Sequence, residues 1–346
     1  MSDQLAPDTG GATPPSDATL AGDEPKRSRV AATLDFLAEY AVLALLAIVF
    51  VWLTFASPAF LSTQNIFNIL NQNAPLAIVA SAGTLVIIGG GFDLSTGAIL
   101  GVSSVFAAWV AVHVDPTLGL VLAPFVGILL GLTNGLVITG LKVHSFLVTL
   151  ATNFVFRGIA LAITGGFLIS VTSFPEFSRL GRGELEGIPI LDGLKYAVVV
   201  FVVFAAAMWI ILDATPLGRY IYAIGGNEEA AVLSGVRVHR VRIMTFVLSG
   251  LAAGIAGAIT VSRISSGQPA AGENIALEAI AAIILGGTSI YGGRGAVWRS
   301  IAGVYLLALI GNGWNILNLD PQLRIIVVGL VILASLALGA VRGRRR

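Results

Sequence analysis

A chain of 346 residues is long enough for two soluble domains, but 56% of it is hydrophobic, only 11% is charged and its mean hydropathy is +0.91. A water-soluble domain carries about 25% charged residues, so a soluble enzyme is excluded and an integral membrane protein is expected. A net charge of +1 leaves no concentrated basic field for nucleic acid. The absence of cysteine removes disulfide, zinc-thiolate and iron-sulfur chemistry, and His113, His144 and His239 are too scattered to suggest a metal site.

Residues 1–30 are rich in Pro, Gly, Asp, Ser and Thr and hold no apolar run that could form a signal-peptide core. They read as a disordered cytoplasmic tail ending in Lys26, Arg27 and Arg29, and residues 31–346 read as one transmembrane domain. Runs able to cross a hydrocarbon core of about 30 Å lie near 38–56, 66–89, 94–112, 117–139, 145–164, 196–212, 243–262, 275–290, 297–314 and 322–340. The expected fold is therefore all-α, with about ten transmembrane helices, Gly-rich breaks between the second and third and between the eighth and ninth, and both termini cytoplasmic. This threading puts 14 of the 20 Lys and Arg residues inside and five outside (Arg179, Arg182, Lys195, Arg263 and Arg324), with Arg157 within a span. That is the direction of the positive-inside rule.

The first break places Gly89, Gly90 and Gly91 directly before Asp93, Ser95 and Thr96. Glycines let a helix stop, and Asp93 can cap the next one or help to point its amide terminus into a polar pathway. The second break has the same ingredients in Gly286, Gly287, Gly292, Gly293 and Gly295, with Arg294 among them. Arg157 costs at least about 2.5–3.5 kcal/mol at a span centre, so it faces the bundle or snorkels to the headgroups. Gly250, Gly254 and Ala258 form a small-residue stripe for close helix packing.

Two loops are long. The one at 165–195 is polar, with Glu176, Glu184, Glu186 and Asp192, and reads either as a solvated connector or as an external docking surface. Within the inside loop at 213–242, Asn227 can cap a helix whose first turn holds Glu228 and Glu229, and Gly235 can close it. Such a helix of about two turns is too short to persist alone. It is either an ordinary surface helix or a handle for another protein.

No GxxxxGK[ST] phosphate loop is present, since Lys26, Lys142 and Lys195 follow Pro25, Leu141 and Leu194, and neither HExxH nor GxSxG occurs. A pore that takes energy from another subunit fits better than a self-powered pump. The runs TPLGRYIYAIGGNEEAAVLSGVRV (215–238), GGGFDLSTGAI (89–99), FRGIALAITGG (156–166) and ILGGTSIYGGRGAVWRSIAG (284–303) resemble those of the ribose-type permease subunits of bacterial ABC importers. The resemblance runs from about residue 38 to the C-terminus, with Phe92 standing where relatives usually have isoleucine.

The resemblance implies a multi-pass permease of the bacterial cytoplasmic (inner) membrane, without cofactor, metal or catalytic residues of its own. Two permease copies, or one copy and a similar partner, would form the pathway above two cytoplasmic ATP-binding subunits. An external binding protein would deliver a monosaccharide. It implies ATPase coupling at Gly225, Gly226, Asn227, Glu228, Glu229, Ala230 and Ala231, and a pathway or broken-helix role for Gly89, Gly90, Gly91, Asp93 and Ser95. Competing expectations are a permease for branched-chain amino acids or nucleosides, a self-sufficient channel or secondary carrier, and a membrane-embedded enzyme, for which no clustered acid, base and nucleophile is visible.

Overall fold

The structure, a computed structural model, describes residues 40–187 and 192–320, with 322–323, 326–331 and 333 beyond them. The tail at 1–30, the basic residues that flank both ends of the chain, Arg324 and most of the run at 322–340 lie outside the described residues. Among the described residues the long elements are α-helices: α1 (Ala41–Ala56), α2 (Thr63–Ile88), α3 (Thr96–His113), α4 (Pro116–Leu141), α5 (Ser145–Thr164), α6 (Arg179–Arg182), α7 (Tyr196–Ala214), α8 (Pro216–Gly226), α9 (Glu228–Leu233), α10 (Val238–Ile264), α11 (Ile275–Leu285) and α12 (Val297–Ile316). A two-residue antiparallel pair joins β1 (Ile169–Ser170) to β2 (Ser266–Gly267).

Local chemistry sets many of the helix ends. Ser62 accepts from the Asn65 amide to start α2, and Asp115 accepts from Leu118 at 2.7 Å to start α4, with Pro116 at its first position. α4 closes at Lys142 and α5 at Gly165, both left-handed, with φ of 55° and 63°. Among the described residues six helices, α2, α3, α4, α5, α7 and α10, are long and apolar enough to cross a membrane. The expected ten is thus corrected to six by this measure. α1 and α11 are apolar but only 16 and 11 residues long, and α12, at 20 residues, is diluted by Arg299, Ser300, Asn312 and Asn315.

α4 and α10 pack backbone to backbone. A Cβ on Gly127 would lie 2.2 Å from the Gly250 carbonyl oxygen, and one on Gly131 would lie 2.3 Å from that of Phe246. The stripe on α10 is therefore matched by a stripe of glycines on α4, and backbone meets backbone across the contact. Arg157 faces the bundle: its guanidinium donates to the carbonyls of Pro269 and Ala271 in the segment between β2 and α11. At the end of α10, Arg263 donates to the carbonyls of Asn71 and Gln72 at 3.2 and 3.1 Å. Pro75 has no N–H to offer Asn71, so Arg263 satisfies an oxygen that the proline leaves free inside α2.

The segment after α5 is ordered on the end of α10. Ser262 accepts from the Gly181 amide at 2.9 Å and donates to the Phe177 carbonyl at 2.6 Å, while Val171 and Phe177 are buried. Lys195 pairs with Glu184 at its far end.

Candidate functional site

The first break is held by side chains. After Ile88 the chain turns through Gly90 at a φ of 79°, which only glycine adopts without strain. Asp93 then sits buried between α2 and α3. One carboxylate oxygen accepts from the Ser95 amide at 2.9 Å and the Ser95 hydroxyl at 2.6 Å, and the other accepts from Ser249 of α10 at 2.7 Å. Asn134 of α4 donates to the Ser95 hydroxyl at 2.7 Å. From α5, Ser145 accepts from the Phe92 amide and Thr149 from the Leu94 amide, at 2.9 and 3.1 Å. Polar groups from three helices thus supply the partners that hydrocarbon cannot. Asp93 does satisfy an amide at the entrance to α3, but Ser95 occupies the cap position and Asp93 also ties the break to α10. A small cleft beside it is lined by Thr96, Ser249, Val79, Gly83 and Ala276.

The second break is held by backbone. Gly287, Gly292 and Gly293 have φ of 82°, 85° and 71°. The Gly293 amide donates to the Ile88 carbonyl at 2.8 Å, so the two breaks touch. Gly225, near the end of α8, lies in the same junction: a Cβ there would sit 1.7 Å from the Ile88 oxygen and 2.5 Å from the Gly293 nitrogen. Tyr222 of α8 donates its hydroxyl to the Gly295 carbonyl at 2.9 Å. Burial, helped by Asp213, pushes that phenol above its usual range, so it remains a neutral donor.

α9 follows directly. Asn227 accepts from the Ala230 amide at 2.9 Å, and Gly235 turns the chain at a φ of 83°. The expected cap and closure are both present, and the helix of six residues makes about two turns as expected. Of the seven residues expected to couple, Gly226, Asn227, Glu228, Glu229 and Ala230 are exposed, whereas Gly225 is half-buried and Ala231 is buried. Glu228 pairs with Arg242 of α10 at 2.8 Å, which pins the helix to the membrane domain.

The family model described as "Branched-chain amino acid transport system / permease component" matches residues 65–336. The ribose import permease protein RbsC of Bacillus subtilis strain 168 is 42% identical over 284 residues, covering 82% of this chain and 86% of the relative. That of Haemophilus influenzae is 38% identical, covering 87% and 92%, and the D-allose transport system permease protein AlsC of Escherichia coli K12 is 34% identical, covering 88% and 92%. The chain belongs to this permease family. No solved structure matches it significantly.

The permease is a multi-pass membrane subunit of an ABC importer and is not itself catalytic. Its α8 is the element that sequence reasoning passed over, treating 213–242 as a loop with one short helix. The signal was present: Thr215 caps by accepting from Gly218, Pro216 holds the first position, and Gly218, Ile221 and Ile224 fall on one buried face at helical spacing.

Proposed function

We propose that this permease carries a ribose-like monosaccharide across the bacterial cytoplasmic membrane. An external binding protein delivers the sugar, a second permease copy completes the pathway, and ATP-binding subunits dock on α8 and α9. The observation that carries the substrate is the naming of relatives for ribose and allose import, at 34–42% identity and more than four-fifths coverage of both chains. The family description favours a second reading, a branched-chain amino acid.

The orientation is supported by which turns meet. The two breaks, Ser145 and α8 touch one another at one end of the bundle, and the segment 169–182 touches β2 and the end of α10 at the other, where Arg263 also reaches the Asn71 carbonyl. Placing the first group in the cytoplasm puts Arg219, Arg237, Arg240, Arg242, Arg294 and Arg299 inside. Tyr40 stacks on Trp298 at 5.9 Å, so the start of α1 lies beside the start of α12 on that same side, as an inside N-terminus requires. α1 and α12 add further crossings to those six helices in this reading.

Uptake of radiolabelled ribose by cells lacking and then regaining this permease tests the proposal. Ribose uptake should return with the permease and be reduced by unlabelled allose but not by leucine. Return of leucine uptake alone would transfer the function to the amino acid reading.

A further inference from the structure

The turn from Ser289 to Arg294 was read from sequence only as a helix break, yet its geometry describes a presented surface. Ser289 donates its amide to the Arg294 carbonyl at 2.9 Å, Gly292 donates to the Ser289 carbonyl at 3.1 Å, and the Ser289 hydroxyl accepts from the Tyr291 amide at 3.2 Å. The turn is thus closed on itself. It is also fixed from beneath, because a Cβ on Gly292 would lie 3.0 Å from the Gly225 Cα and one on Gly293 would lie 3.0 Å from the Gly226 Cα. At the tip Tyr291 is 84% exposed, with Arg294 exposed beside it. One residue beyond Gly226 begins α9, which ends in Leu233 at 89% exposure.

A large aromatic held out on a rigid turn serves either an interface or the headgroup layer of the membrane. Three features favour the interface. The turn is locked to the end of α8 by backbone contacts, so it cannot shift without α8. It continues the exposed side of Asn227, Glu228, Glu229 and Ala230. It adds Tyr and Arg, the residue types enriched at interface anchors, to a helix that otherwise offers small and acidic side chains.

We propose that the Ser289–Arg294 turn, with Tyr291 at its tip, is a second contact for the ATP-binding subunit beside α9. This rests on the reading that α8 and α9 dock that subunit. Because the second break lies under the contact, movement of the partner acts on the Ile88–Gly293 junction directly as well as through α9.

The cysteine-free chain permits a direct test. Tyr291→Cys, Leu233→Cys and Ser178→Cys are each purified in nanodiscs, alone and with an ATP-binding subunit that co-purifies with the unmodified permease. Labelling by a bulky water-soluble maleimide is followed in time. Tyr291→Cys and Leu233→Cys should both label in the permease alone and lose labelling in the complex, with Ser178→Cys unchanged. If Leu233→Cys is protected and Tyr291→Cys is not, the turn is no contact while the docking reading stands. Failure of both to be protected overturns the docking reading and this proposal with it. If Tyr291→Cys resists labelling even in the permease alone, the tip lies among headgroups and the proposal is wrong.

Discussion

The two glycine-rich breaks share a sequence style and differ in how they are held. At 89–95 the chain is fixed by side chains: its own Asp93 and Ser95, both buried, and Asn134, Ser145, Thr149 and Ser249 from three other helices. At 286–295 it is fixed mainly by backbone, with glycines letting the turn approach α8 and the Ile88 carbonyl until no side chain fits and Tyr222 adding one side-chain bond, and its tip is exposed. Glycine content therefore marks where a membrane helix stops and says little about what the stop does. The polar residue nearby decides that. Asp93 folds inward to satisfy donors, while Arg294 is exposed.

This difference predicts different sensitivities. Asp93→Leu should do the most damage, because it removes the acceptor of the Ser95 amide, the Ser95 hydroxyl and the Ser249 hydroxyl together, and each buried donor left unpaired costs about 1–3 kcal/mol. Asp93→Asn should retain most of the thermal midpoint and of uptake, since its amide oxygen still accepts and the Ser249 hydroxyl can rotate. A normal midpoint for Asp93→Leu would show that the side chains do not hold this break.

Gly225→Ala should rank next. Overpacking costs about 1–3 kcal/mol where neighbours can yield, and here both neighbours are backbone, at 1.7 and 2.5 Å from the added carbon. Gly140→Ala, with open space around it, is the control and should leave the thermal midpoint unchanged. Equal behaviour of the two would contradict a backbone-held junction.

Arg263→Met should cost less, about 1.5–3 kcal/mol, by removing a charged donor from the carbonyls beside the Pro75 kink. The smallest effect belongs to Glu228→Gln. Its pair with Arg242 is partly exposed, and such pairs contribute about 0.2–1 kcal/mol. Thermal unfolding of the purified permease in one detergent ranks all four, and any reversal of the order would identify the contact that is misjudged.

Much of this was legible in the sequence because it is local. Nine of the ten apolar runs coincide with helices among the described residues, and Asn227 and Gly235 do at α9 what their residue types prescribe. What was not legible is non-local. Nothing in the chain beside Asp93 names Ser249 as its partner, 156 residues away, and nothing beside Ser95 names Asn134, 39 residues away. Likewise the stripe of Gly250 and Gly254 does not say that Gly127 and Gly131 face it. α8 was missed for another reason: its buried face is three residues long and one of them is glycine, so the periodicity was weak although the Thr-Pro start was clear.

The central claim, that the cytoplasmic helices join this permease to its energy source, meets its most direct test at Ala230. Its neighbour Ala231 is buried, and a change there would disturb folding, but Ala230 faces solvent and can take a large charge without touching the membrane domain. Co-purification of the ATP-binding subunit with Ala230→Arg permease, measured with substrate-stimulated ATP hydrolysis, should show normal membrane insertion, loss of the subunit or of stimulation, and loss of uptake. Retention of the subunit, the stimulation and the uptake at unmodified levels would contradict the claim, and the energy would have to enter elsewhere.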